Sequence, residues 1–223
     1  MKNKKGIHHV EYVIAVSVFL VALMFILYFM NFTSKAVGTS DLNSFEKIFR
    51  EKTEIDVTEV ILTTGGGSCP NVSLNSNLLP YSDKLIVRDK NGVVNFSLTS
   101  SDLSIDSISD YYEIFSSSSF DSHFSYGGSC SATGQYSLPF IEKFIFSQKL
   151  QDLETNYSTD YNKLKTEFGL NKDFSITITG DGISFNMIRN IPANIPVQAK
   201  EFRIKVIDEN ANIYDAVVNL RVW

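Results

Sequence analysis

Only two cysteines, three histidines and one tryptophan occur in the 223 residues, and acidic side chains outnumber basic ones, 25 to 20. Each scarcity excludes a kind of chemistry. A metal site needs more ligands than Cys69 and Cys130 supply. A catalytic thiol needs a histidine within reach, and His123 is the only one away from the amino-terminal end. The glycine-rich stretch Gly65-Gly66-Gly67-Ser68-Cys69-Pro70-Asn71 lacks the lysine and the following helix that a phosphate-binding loop requires. Asp121, Ser122 and His123 are neighbours along the chain, which says nothing about a triad in space. Asp102, Asp106 and Asp110 recur every four residues, a spacing that does not match a calcium loop and reads as a solvated acidic face. No catalytic, cofactor-binding or metal-ligating residue is assigned, and no enzymatic role is expected. A formal net charge of −5 also argues against a nucleic-acid partner. No internal repeat is apparent.

What the chain has in place of these is a long apolar run. From Tyr12 to Phe32 the only clearly polar residues are Ser17 and Asn31. As one helix that run would be about 32 Å long at roughly 1.5 Å per residue, enough to cross a bilayer. No small-residue cleavage site follows Phe32, so the run is expected to stay on the protein. Lys2, Lys4 and Lys5 precede it, whereas only Lys35 follows closely. That asymmetry predicts a single-pass protein of the cell membrane with a cytoplasmic amino terminus and the remaining chain outside.

The order of features ahead of the run is more specific. Lys4-Lys5-Gly6, then Ile7-His8-His9-Val10-Glu11, then the uninterrupted apolar segment resembles the class III signal of type IV prepilins and related archaeal surface proteins. The resemblance covers about the first 30 of 223 residues. It implies a membrane peptidase that cuts between Gly6 and Ile7 and leaves the hydrophobic helix on the mature subunit. Glu11 then becomes the fifth mature residue, where that family places its glutamate. The implied protein is a structural subunit of a pilus-related surface filament or pseudopilus, with membrane lipid, the prepilin peptidase and other pilin-like subunits as partners. His8 and His9 depart from the more apolar family pattern. The surroundings of Glu11 look more archaeal than Gram-negative.

Glu11 admits two physical readings. A carboxylate at the edge of an apolar helix is costly to immerse and usually has a partner. Cleavage would create one, because the new Ile7 amine is positive near neutral pH, and a staggered neighbour would set assembly register through the pair. Alternatively Glu11 reaches the headgroups and pairs with Lys5 or water. Without the filament, the same sequence reads as an uncleaved single-pass protein with an extracytoplasmic binding domain.

Cys69 and Cys130 sit in similar glycine-rich settings and are expected to form one disulfide. Closing a loop of about 60 residues would stabilise the fold by roughly 4 kcal/mol in the chain-entropy model. Asn31, Asn71, Asn95 and Asn156 each begin an Asn-X-Ser/Thr triplet, which fits an exported protein open to glycosylation but carries little weight, because such triplets are common by chance in a chain this rich in serine and asparagine.

The expected architecture is α+β. A basic leader (1–6) precedes a transmembrane helix that continues as an amphipathic helix (7–50), and an extracytoplasmic head (51–223) carries an antiparallel sheet and a helical layer. Leu42, Phe45, Ile48 and Phe49 share one face of the continuing helix. Ile55 to Thr63 reads as a strand, and Asp89-Lys90-Asn91-Gly92 as a hairpin turn. Thr99 to Ser137 has poor periodicity and many aromatics. It reads either as an excursion that contacts a partner or as a loop that buries its aromatics locally. Phe146, Leu150, Leu153, Tyr157, Tyr161, Leu164 and Phe168 form a helical stripe within Phe140 to Phe168, which Ser158 or Thr159 can break in two. Alternating strands follow at Phe174 to Ile178, Ile183 to Met187, Phe202 to Val206 and Ala216 to Val222.

Overall fold

The computed structural model describes residues 12–26, 39–65, 69–73, 79–81, 83–98, 102–121 and 133–223. The chain divides into two compact units, Met1–Asn43 and Ser44–Trp223.

In the first unit, helix α1 covers residues 12–26, and every one of its side chains is exposed. Among the described residues no helix is long and apolar enough to cross a membrane. The described part of α1, residues 12–26, spans about 22 Å at 1.5 Å per residue, against a hydrocarbon core of about 30 Å. Helix α2 (Thr39–Thr53) carries both acidic and basic side chains. The expected long apolar helix is therefore corrected, and with it the transmembrane span and the single-pass membrane placement; residues 7–11 and 27–38 of the helix expected over 7–50 lie outside the described residues.

The second unit is mostly β, which overturns the expected α+β head on a long apolar helix. Among the described residues there are four helices and thirteen strands, and the domain is a curled sheet. The strands are β1 (Glu54–Thr64), β2 (Asn71–Ser73), β3 (Leu85–Asp89), β4 (Gly92–Val93), β5 (Phe96–Leu98), β6 (Asp102–Ile105), β7 (Tyr111–Ser116), β8 (Gly134–Tyr136), β9 (Phe140–Phe146), β10 (Phe174–Gly180), β11 (Ile183–Met187), β12 (Gln198–Ile207) and β13 (Ile213–Val222). Helices α3 (Ser147–Thr159) and α4 (Tyr161–Glu167) lie between β9 and β10.

Ten strands form one sheet in the order β11-β10-β13-β12-β9-β1-β7-β3-β4, with β8 also paired to β1. All of its pairings are antiparallel except β12 with β9. A second sheet has the order β2-β6-β5. The β8 and β9 segments run along the same strand β1 with a break in register. Leu62 faces Tyr136 and Glu59 faces Phe140, so one extra residue lies between the two pairings on the β8–β9 side. That is a bulge, and Ser137 completes its hydrogen bonding: its N–H donates to the Ile61 carbonyl at 2.8 Å and its Oγ accepts from the Ile61 N–H at 3.0 Å.

Period-two alternation sends the two faces of the middle strands into different cores. Val60 and Leu62, Leu85 and Val87, and Tyr112 and Ile114 pack with Val72, Phe96, Leu103 and Ile105 of the small sheet. Ile55, Val57, Ile86 and Phe115 join Phe144, Phe146 and Ile207 on the opposite side. The segment read as a long loop, Thr99 to Ser137, thus contributes three strands. Tyr112, Phe115 and Phe120 are buried, Tyr111 is exposed, and Phe124 and Tyr126 lie outside the described residues.

The helical stripe is present but starts later than expected. Phe140–Phe146 is a strand, and α3 begins only at Ser147. Leu150, Leu153, Tyr157, Tyr161, Leu164 and Phe168 are all buried. The break falls at Asp160, whose carboxylate accepts the Lys163 N–H and so caps α4. Gly169, at φ 66°, ends the helix in the left-handed conformation that favours glycine. This helical pair and α2 enclose an aromatic core centred on Phe174, with Phe45, Tyr157, Tyr161 and Phe168 within 5.5 Å of its ring centroid.

Candidate functional site

Gly6, Ile7 and Glu11, the expected cleavage and register residues, lie outside the described residues, as does His123. Cys69 is disulfide-bonded and presents no free thiol. Cys130, the other cysteine of the chain, lies outside the described residues. Asp102, Asp106 and Asp110 do not converge. Asp102 accepts the Ser73 hydroxyl at 2.9 Å, Asp106 donates its N–H to Asn95 at 2.9 Å, and the Asp110 carbonyl accepts the Thr64 N–H at 2.9 Å. Among the described residues no group of three or more His, Cys, Asp or Glu side chains could hold a metal ion.

The sheet assembles one polar groove that local sequence did not signal. Register places Glu59 opposite Phe115, and Arg88 opposite Glu113, so these four share a face of β1, β7 and β3. Asn212, Ile213 and Tyr214, at the turn into β13, complete an open groove of about 420 Å³. The turn is held by Asp208, which accepts the Asn210 and Asn212 N–H groups at 2.8 Å and the Tyr214 hydroxyl at 3.1 Å. Arg88 reaches across to the same turn and donates from Nη1 to the Ala211 carbonyl at 2.6 Å. Its buried Nε has no hydrogen-bond partner among the described residues.

Burial raises the Glu59 pKa above the ordinary glutamate range, and the neighbouring charges of Glu113 and Glu142 push it further in the same direction. Lys205 opposes them, while itself paired to Glu142 at 2.7 Å. Burial also raises the Tyr214 phenol, followed by its contact with Asp208. The groove therefore offers carboxylates, a guanidinium and a phenol for polar contact. Among the described residues no serine, cysteine or histidine lines it.

The raised Glu59 pKa makes the stability of the domain depend on pH. A carboxyl whose pKa is raised in the folded state binds its proton more tightly there than in the unfolded chain. It stabilises the fold below the ordinary value, and that contribution is lost as pH rises through the raised value. Glu59→Gln keeps the shape and removes the titration. The variant should match wild type at low pH and become the more stable protein as pH rises above the glutamate range. Thermal melts of both proteins between pH 4 and pH 7 read this directly, and a gap independent of pH would contradict it.

The second region with a marked surface is α1. Its exposed apolar side chains, among them Tyr12, Ile14, Val18, Phe19, Met24 and Phe25, surround the helix instead of forming a stripe. A helix that is apolar all round is a helix that is covered all round.

No family model, curated protein or solved structure matches the chain.

Proposed function

We propose that this chain is a structural subunit of a pilin-like filament, assembled through its apolar amino-terminal segment and displaying the β domain at the periphery. The observation that carries the reading is the exposure of every side chain of α1. Copies of the same helix, packed side by side, cover such a surface on all sides, whereas one docking partner covers a single stripe. The basic leader ending at Gly6 and the position of Glu11 support it from the sequence side. Prepilin peptidase and further copies of the subunit are the partners of this proposal. Glu11 then sets register by pairing with the Ile7 amine of a neighbour. The single-pass membrane placement is not part of it.

The test uses the full chain in its native cells. The subunit should begin at Ile7, and the double variant Val16→Asp, Leu20→Asp should lower filament yield by more than about tenfold. That loss reflects the cost of several kcal/mol per uncompensated carboxylate in a packed apolar core. Thermal unfolding of the β domain should be unchanged, because these residues belong to the other compact unit. Normal filament yield from the variant, or Met1 retained on the assembled subunit, would overturn the reading.

A further inference from the structure

We propose that the outer face of the small sheet is a glycosylated face, carrying N-linked oligosaccharide at Asn71 and Asn95. The inference starts from alternation. In β2, β6 and β5 one set of positions faces the core: Val72, Leu103, Ile105 and Phe96 are buried, and Leu98 packs against them. The alternate set is Asn71 and Ser73 on β2, Asp102 and Ser104 on β6, and Ser97 on β5. Strand pairing sets Asn71 and Ser97 on either side of Ser104, and Ser73 beside Asp102. Asn95 lies one step before β5, where its carbonyl accepts the Asp106 N–H at 2.9 Å.

Two Asn-X-Ser triplets occupy this one small face, and both are threaded through it in the same way. In Asn71-Val72-Ser73 and Asn95-Phe96-Ser97 the middle residue is buried, and the asparagine is exposed. Because a strand repeats every two residues, the asparagine amide and the hydroxyl two residues on emerge on the same side. Both groups that define the acceptor triplet are thereby presented together after the domain has folded, one triplet on β2 and the other leading into β5, with the Ser73 hydroxyl donating to Asp102 on the same face at 2.9 Å. Among the described residues the face holds asparagine, serine and one aspartate and no large apolar side chain, so a bulky solubilising sugar covers none of the described core.

Asn156-Tyr157-Ser158 makes the internal contrast. It lies within α3, its Tyr157 is buried, and the Ser158 hydroxyl donates to the Glu154 carbonyl at 3.0 Å. At 3.6 residues per turn the side chains of Asn156 and Ser158 leave the helix about 200° apart. The folded helix cannot offer them together, and Asn156 carries no sugar.

The co-reactant is an oligosaccharide joined through a phosphate ester to a lipid carrier. A bond forms between Asn Nδ2 and the anomeric carbon. The bond from that carbon to the phosphate oxygen breaks, the lipid phosphate leaves with the electron pair, and the amide proton passes to a base. The proposal rests on the proposed function only in requiring export to the compartment where such transfer occurs. In an assembled filament it orients the subunit, since the sugar-bearing face must point to solvent.

Peptide mass mapping of the protein isolated from its native cells tests it. Peptides containing Asn71 and Asn95 should carry glycan and the Asn156 peptide should be unmodified. Asn71→Gln and Asn95→Gln should each remove one glycan without shifting the melting temperature of the deglycosylated protein. An unmodified peptide at either Asn71 or Asn95, or glycan at Asn156, would overturn the assignment. Filaments built from unmodified subunits would defeat this inference and spare the filament proposal. Glycosylated subunits that never assemble would do the reverse.

Discussion

Replacing Phe174 with alanine is expected to lower the stability of the β domain by about 3–5 kcal/mol, the range for removing a fully buried phenylalanine. For a domain of this size that corresponds to a fall of about 6–20 °C in Tm. The residue is completely buried at the start of β10. Its ring meets four others: Phe45 at 5.2 Å, Tyr157 at 5.4 Å and Phe168 at 5.4 Å edge-on, and Tyr161 at 5.3 Å stacked. Such pairs contribute about 0.5–1.5 kcal/mol each beyond the area they bury.

The backbone of the same residue is clamped by two of those neighbours. Its N–H donates to the Tyr161 hydroxyl at 2.9 Å, and its carbonyl accepts the Tyr157 hydroxyl at 2.7 Å. Arg189 lies over the Tyr161 ring at 3.6 Å, and Asp173 accepts both Tyr161 at 3.1 Å and Lys165 at 2.9 Å. Removing the ring therefore leaves a cavity whose walls are held in place and cannot collapse into it, which puts the loss toward the upper end. Phe174→Leu, which refills much of the space, should recover more than half. A chemical denaturation series on the isolated variants reads both, and a loss under about 1 kcal/mol for alanine would show that this cluster does not organise the domain.

Gly180→Ala is expected to destabilise the domain by about 1–3 kcal/mol or more, as overpacking of a close backbone contact does. Gly180 closes the β10–β11 hairpin and is also paired with Ala216 of β13. A methyl group built there meets the Asp215 carbonyl oxygen and lies 2.9 Å from both Cα and Cβ of Ala216. None of these atoms can rotate aside, because two belong to the backbone and the third is fixed to it. Relief requires β10 and β13 to separate at their paired ends. The neighbouring Gly182, at φ 80°, needs glycine for a different reason, its left-handed backbone. Hydrogen exchange should show faster opening of β11 and of the Gly180 end of β13 in the variant. Unchanged exchange and an unchanged Tm would mean that the two strands are not held as closely as the geometry indicates.

Elements whose signal is confined to a few consecutive residues were legible. The stripe from Leu150 to Phe168 is a matter of 3.6-residue periodicity, and its break depends on one capping aspartate beside the serine and threonine singled out. The alternation of β10 to β13 is likewise local, as is the Asp89 to Gly92 turn. The segment from Thr99 to Ser137 was not legible. Its strands are short, and β7 earns its central place only by pairing with β1 on one side and β3 on the other. The start of the helix was misplaced for the same kind of reason. Phe140 to Phe146 carries apolar residues compatible with either period, and its pairing with β1 decides for the strand. The expected membrane-crossing helix failed too: among the described residues no helix is long and apolar enough to cross, and apolar content alone does not fix helix length.

By itself the sequence determined the amphipathic helices, the alternating strands, the apolar amino-terminal segment and the acidic balance of the chain, because each is set by side chains within a few residues of one another. Only the tertiary structure decided that the domain is mostly β, that Glu59, Glu113 and Arg88 share a groove, and that two Asn-X-Ser triplets share a face. Those groupings depend on strand order and register between segments far apart in the chain. A shift of one residue in any pairing would turn every side chain to the opposite face.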